Sequence, residues 1–328
     1  MSDDAAATRV QEYDVVVVGG GAAGLSAALA LGRARRSVLV VDAGDPRNRP
    51  AGHVHNYLGR EGTPPAKLLA IGRDEVASYG GQVTTGVVTS ARARDGEGFL
   101  VTFEDGREVT GRRLLVTTGL VDELPDVPDL RERWGRDVLH CPYCHGWEVR
   151  DQALGVVASN AFAVHQALMF RQWSDDVTLL LNGRPHPSAD ESEQLAARGI
   201  AVVEEPLDRV VVEDDRVTGV RLASGAVVAR QALVVSPRMT ARSEVLSSLG
   251  VETEEVELDG VVLGTVARSE PTGATSVPGV WVAGNVADLR AQVISSASAG
   301  LGVAAMLNAD LIAEDTRVAV AARRLSRR

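Results

Sequence analysis

The 328-residue chain is poor in cysteine, lysine and aromatic residues: two cysteines, a single lysine (Lys67), and 4% Phe, Trp and Tyr together. Two cysteines cannot staple a chain of this length, which excludes a disulfide-built scaffold. Positive charge is also scarce. Acidic residues outnumber basic ones 44 to 34, giving a formal net charge of −10. That balance argues against a nucleic-acid partner, since phosphate backbones are met by a basic stripe. No uninterrupted apolar run approaches the ~20 residues that cross a bilayer. The first residues carry Asp3 and Asp4 and lack the basic-then-apolar order of a secretory signal. A cytoplasmic protein with no membrane partner is therefore expected. With 45% apolar and 24% charged residues, the chain has the material for two compact domains, or one with an insertion.

What is present is glycine in an informative place. Tyr13 to Val18 is a valine-rich run suited to a buried parallel strand, and Gly19-Gly20-Gly21-Ala22-Ala23-Gly24 follows it. Gly19, Gly21 and Gly24 have the spacing of a dinucleotide cradle. The first permits the tight turn, the second lets backbone approach a pyrophosphate, and the third lets helix and strand pack closely. Ala22 and Ala23 lead into a helix over residues 25–34, whose N-terminal N–H groups face the phosphates. A second apolar strand, Ser37 to Val41, ends in Asp42, placed to accept from a ribose hydroxyl.

Two later segments bear on which dinucleotide is bound. Arg113 to Thr118 reads as a strand leading into Thr118-Gly119, which resembles the second motif of two-dinucleotide flavoproteins. Val280 to Ala283 is another strand, running into Gly284-Asn285 and then Gln292 and a helix of small residues. In that superfamily this segment covers the flavin ribityl chain and ring. The usual aspartate after the glycine is Asn285 here, which can still hydrogen-bond a ribityl hydroxyl without adding charge.

The stretch His140-Cys141-Pro142-Tyr143-Cys144-His145-Gly146-Trp147-Glu148 holds both cysteines. Cysteines three apart can close a small redox disulfide, and adjacent histidines can stabilise a thiolate or move its proton. Three other readings stand beside this one. A zinc site needs about four ligands, and no second cysteine pair exists. The string is also the c-type haem attachment pattern, which normally requires export. An inert buried pair sits badly with the flanking histidines and polar turn.

Taken together, these segments resemble the low-molecular-weight thioredoxin reductase family over nearly the whole chain. The resemblance implies an α/β fold of two Rossmann-like, three-layer dinucleotide-binding domains, the second inserted into the first. Residues 1–122 and 242–328 would form the FAD-binding domain, and 123–241 the middle domain carrying the cysteine pair. It further implies that Cys144 lies against the flavin, that Cys141 exchanges with substrate, and that the protein is a homodimer. By the same resemblance Asn56 approaches the flavin and the backbone of Val87 the adenine. His53 and His55 share the loop of Asn56 and carry no clear role. The acid–base residue after the pair, usually an aspartate, is His145. That Cys-x-x-Cys-His pattern is similar to the dithiol oxidases that close disulfides in gliotoxin and holomycin.

A reductase of this family also needs a second glycine cradle for NADPH. The matching turn after Leu154 to Val157 places Ala158, Asn160 and Ala163 at those spacings, with Phe162 beside them. Side chains stand where close backbone approach is required. After the next strand, Val177 to Leu181, Arg184 is a lone candidate for a 2′-phosphate. Efficient NADPH use is therefore doubtful. The leading expectation is an FAD-dependent oxidase of a small-molecule dithiol, with oxygen as final acceptor. An NAD(P)H-dependent disulfide reductase and a non-catalytic redox-sensing module are the alternatives. Elsewhere, hairpins are expected around Asp105-Gly106 and Glu213-Asp214-Asp215, and a solvated basic tail over 323–328.

Overall fold

The valine run forms the middle of the larger sheet. In a computed structural model, which describes residues 10–95 and 98–327, β1 (Gln11–Val18) is buried from Val15 onward. Asp3, Asp4 and Arg328 lie outside the described residues. Helices or strands cover both faces of β1, which is why its sequence is continuously apolar rather than alternating. α1 (Ala22–Arg33) follows the glycine turn, and β2 (Val38–Asp42) returns parallel to β1. The chain continues through α2 (Pro65–Ser78), β3 (Gln82–Thr85), β4 (Val88–Arg94), β5 (Gly98–Phe103) and β6 (Glu108–Val116).

Segments 108–110 and 113–118, expected as two strands, are the single strand β6, which stops at Val116. Residues 108–111 pair antiparallel with β5 across the Asp105-Gly106 turn, while 109–116 run parallel to β1. One strand thus serves both a hairpin and the parallel core.

β7 (Leu120–Glu123) then leaves this sheet. Next come β8 (Val138–Leu139), α3 (Pro142–His145), β9 (Leu154–Val157), α4 (Ala163–Phe170), β10 (Val177–Leu180), α5 (Ala189–Ala197) and β11 (Ala201–Val203). β12 (Leu207–Glu213), β13 (Arg216–Leu222) and β14 (Val227–Ala229) form an antiparallel ribbon, and β15 (Ala232–Val235) follows. The order β11-β10-β9-β15-β8 makes a second, all-parallel sheet. The expected hairpin at 213–215 is present. Asp214 and Asp215 both take positive φ, 49° and 59°, as a two-residue turn matched to strand twist requires.

β16 (Arg238–Ala241) brings the chain back antiparallel to β7, from Arg238↔Glu123 to Ala241↔Leu120. α6 (Glu244–Ser248), β17 (Thr253–Leu258) and β18 (Val261–Ala267) follow, and β17-β18-β16-β7 form a four-stranded sheet not legible in the sequence. β19 (Val280–Val282) joins β6 as the seventh strand of the large sheet, whose remaining order is β3-β2-β1-β6-β5-β4.

The last element is α7 (Val293–Leu325); the basic segment expected as a solvated tail is exposed, as expected, and helical through Leu325. Gly300 makes its seating possible, since a Cβ there would lie 2.0 Å from the Ala23 carbonyl oxygen of α1. Val303, Ala304, Leu307 and Leu311 are buried in the layer of Val15, Val17 and Leu115. Arg112 and Arg36 pair with Asp315, and Arg113 with Asp310 and Glu314. By length and composition α7 could also cross a membrane, its most apolar 18-residue window having a mean hydropathy of 1.3, although Ser and Asn interrupt its apolar run. One face of its first half lies against the core.

Candidate functional site

The glycine turn is built as its spacing predicts. Gly19 takes φ +109°, and a Cβ on it would stand 2.5 Å from the Thr117 carbonyl oxygen. A Cβ on Gly24 would lie 1.9 Å from the Gly19 carbonyl oxygen, so only glycine lets α1 start this close to β1. Thr117 pins the turn from the next strand end, its hydroxyl donating to the Gly19 carbonyl at 2.8 Å. Gly21 differs from both: nothing lies within 4 Å of where its Cβ would be. It faces open space, and no side chain caps the first turn of α1. Backbone N–H groups are thus left for an anion.

That open space is one end of a cavity of about 810 Å³. Gly19, Gly21, Ala22, Ala23 and Asp42 line this end, whereas Gly24 supports it from behind. Asp42 accepts the Gly20 N–H through Oδ1 at 3.2 Å, leaving Oδ2 able to accept from a ribose hydroxyl. Val87, Thr118, Gly119, Gly284 and Gln292 also line the cavity. Thr118 donates its hydroxyl to the Arg242 carbonyl at 2.6 Å, tying together the two strands that leave and re-enter the large sheet. Asn285 lines the cavity too, but both hydrogens of its amide hold its own loop, at the carbonyls of Asp288 (3.0 Å) and Ala291 (2.9 Å). Only its Oδ1 remains to accept from a ligand hydroxyl. A cradle that side chains would fill, followed by a ribose-binding acid, fits a dinucleotide.

Cys141, Cys144 and His145 line the other end of the same cavity. The cysteines are joined in a disulfide with Cα atoms 5.2 Å apart, Cys141 at the N-cap of α3 and Cys144 within it. Both ring nitrogens of His145 are buried and lack a hydrogen-bond partner. Burial lowers its pKa below the ordinary histidine range, against the nearby Glu148 carboxylate, which raises it. The ring is therefore a neutral base with a free lone pair at neutral pH. His140 is lowered as well, chiefly by burial and then by the Arg47 guanidinium.

Two histidines that stay neutral in the fold, but charge when the chain unfolds, make stability pH-dependent. Above the ordinary histidine pKa of ~6.5 neither state binds these protons and their contribution is whole. Below it the unfolded chain binds them first, so stability falls towards the depressed folded values. Urea unfolding of the flavin-loaded protein is thus expected to show a lower midpoint at pH 5.5 than at pH 7.5. Replacing His140 with Phe should weaken that dependence; an unaltered dependence would contradict the assignment to His140.

The structure places Asn56 differently from the resemblance. It is not among the residues lining the cavity, and its Nδ2 donates to the Tyr143 carbonyl at 2.6 Å. Sequence reasoning noted Phe162 but not His165, Gln166 and Met169 of α4; all four line the cavity, and their i, i+3, i+4, i+7 spacing is the signal that puts them on one face. At the degraded second cradle, Asn160 Oδ1 accepts the Phe162 N–H (3.0 Å) and its Nδ2 donates to Ser236 (3.2 Å). Its side chain thereby holds the turn just before α4, the turn in which a second dinucleotide cradle would need glycine. Among the described residues no group of three or more His, Cys, Asp or Glu is arranged to hold a metal ion.

Comparison with known proteins agrees with this geometry. The family profile described as pyridine nucleotide-disulphide oxidoreductase matches residues 13–302. Thioredoxin reductase sirT of Leptosphaeria maculans is 30% identical over 326 residues, spanning 94% of this chain and 97% of that protein. The solved structure of HlmI superimposes with a TM-score of 0.88 at 47% identity, covering 96% of this chain and 97% of HlmI. An oxidoreductase from Agrobacterium tumefaciens gives 0.85 at 35% identity, over 92% of this chain and 99% of that one.

Proposed function

Because this chain belongs to the pyridine nucleotide-disulphide oxidoreductase family, we propose that it oxidises a small-molecule dithiol to a disulfide through Cys141 and Cys144, with FAD and oxygen. At the coarser level it is a flavin oxidoreductase acting on thiol and disulfide groups. The observation that carries the finer reading is the single cavity lined by both the dinucleotide cradle and the disulfide, with a neutral histidine next to the sulfurs. In this reading residues 1–122 and 242–328 hold FAD, and 123–241 carry the redox pair. The molecule is taken as a cytoplasmic homodimer with neither nucleic acid nor membrane as partner.

FAD, when bound, supplies a two-electron acceptor that oxygen reoxidises to give peroxide. The chain's own residues do the sulfur chemistry. A nitrogen of His145 takes the proton of one substrate thiol, and the thiolate attacks Cys141 Sγ. The Cys141–Cys144 bond breaks and Cys144 leaves as thiolate. The second substrate thiol, its proton lost to solvent, then attacks the substrate sulfur of the mixed disulfide, displacing Cys141 and releasing the product disulfide. Two electrons now reside on the cysteine pair; a bound FAD would accept them as the Cys141–Cys144 bond closes again. Tyr143 lies between the two cysteines and Trp147 three residues beyond them, and they are 63% and 65% exposed in a chain with only twelve aromatic residues. Exposed rings beside the reactive sulfurs favour a compact, partly apolar substrate, of the kind found among natural-product dithiols, over a large polar one.

A second reading, NAD(P)H-dependent reduction of a disulfide, draws support from the name of the sirT relative and from the second parallel sheet. One anaerobic titration separates the two. Under the oxidase reading a dithiol bleaches the flavin within seconds, while NADPH leaves it yellow. Rapid bleaching by NADPH would reverse the order. If neither reagent bleached it, both readings would fail and a redox-sensing role would come forward.

A further inference from the structure

The cysteine turn is gripped by a loop from the other side of the cavity, 87 residues away in sequence. That loop is closed on itself: Val54 N–H donates to the Thr63 carbonyl (2.8 Å) and Gly62 N–H to the Val54 carbonyl (3.0 Å). Asn56 takes φ +59°, a conformation asparagine adopts more readily than other side-chain-bearing residues. Its N–H donates to Glu61 Oε2 (2.8 Å), and Glu61 Oε1 lies 2.5 Å from His55 Nδ1. These bonds hold Glu61 below the usual carboxylate range, the His55 contact first. With the loop so fixed, two side chains reach the cysteine turn. Asn56 Nδ2 meets the Tyr143 carbonyl, and His55 Nε2 stands 3.4 Å from Glu148 Oε1.

Those two contacts straddle Cys144 and His145. The Tyr143 carbonyl belongs to the peptide unit that carries the Cys144 nitrogen, and Glu148 lies three residues beyond His145. The helix between them, α3, has four residues, too few to hold its own shape. We propose that His55 and Asn56 are positioning residues, which clamp the Tyr143–Glu148 segment from both flanks and so keep Cys144 and His145 aimed into the cavity. This role rests on the flavin-linked thiol chemistry proposed above.

The test uses the flavin-loaded protein, with dithiothreitol as probe under anaerobic conditions. Asn56→Gly keeps the positive φ and removes the Nδ2 donor; His55→Leu removes the contact with Glu148, and His55→Gln retains a donor near the Nε2 position. Both Asn56→Gly and His55→Leu are expected to slow flavin bleaching about tenfold with unchanged KM, and His55→Gln to recover most of the rate. Their two-electron-reduced forms should show a weaker thiolate–flavin charge-transfer band. Backbone amides of residues 141–148 should exchange faster, with FAD affinity unchanged. Variants bleaching within twofold of the parent, with the band and exchange unaltered, would overturn the clamp while leaving the thiol chemistry standing. Loss of FAD affinity in Asn56→Gly would overturn it too, placing Asn56 at the cofactor. A parent protein that dithiothreitol cannot bleach would remove both proposals.

Discussion

Cys144→Ser is expected to bind FAD normally and to lose dithiol-driven flavin reduction by ~10⁴-fold or more, the scale on which removing a covalent nucleophile acts. A hydroxyl cannot form the bond to Cys141, so the variant offers an incoming thiolate no sulfur to attack and no store for two electrons. The position lies on the cavity wall rather than in the core clusters, and serine is nearly the same size, so the fold should survive. The measurement is anaerobic stopped-flow bleaching alongside the flavin content of the purified protein. Reduction within about 100-fold of the parent would take the cysteine pair out of the electron path.

The second large effect is at His145. His145→Ala should slow the same step by ~10²-fold at neutral pH, the usual worth of a positioned general base. The sharper readout is the pH profile. Burial holds the His145 pKa below the ordinary range, so the parent's rate should rise with pH through that depressed value and level off by neutrality. The alanine variant should lose this limb and instead climb in the alkaline range, as the substrate thiol ionises unaided. A retained acid limb would assign the base elsewhere; His140, also buried, lines the cavity and would be next.

How much of this was legible in the sequence differs sharply between regions. Gly19, Gly21 and Gly24 could be read because the constraint on each is local: a positive φ, an open approach, and a 1.9 Å clash that forbids any Cβ. The turn at Asp214-Asp215 could be read for the same reason. What could not be read was set by distant partners. β6 looked like two strands because its pattern changes where it passes from the β5 hairpin into the parallel core. The seating of α7 involves Arg36, Arg112 and Arg113 meeting Asp310, Glu314 and Asp315 across the fold, and no local periodicity announces such pairs. Asn56 was noticed through family resemblance, yet its actual neighbour, the Tyr143 carbonyl, is a backbone atom that carries no sequence signal. The turn before α4 lay in between: the missing glycines were plain, but that Asn160 would bond within that turn, to the Phe162 N–H and to Ser236, was not.

The antiparallel pairing of β7 with β16 puts the exit and the re-entry of the middle segment side by side. Both chain connections to the segment from Leu124 to Pro237 therefore pass through one hydrogen-bonded ribbon, while Asn56 and His55 touch that segment separately at Tyr143 and Glu148. Bridging Glu123 to Arg238 with a two- or three-residue turn would leave every strand of the large sheet with its neighbours, and such a trimmed chain should still take up flavin while losing all thiol chemistry. The two crossings being neighbours in one sheet, the middle segment can change in length without moving either of its ends.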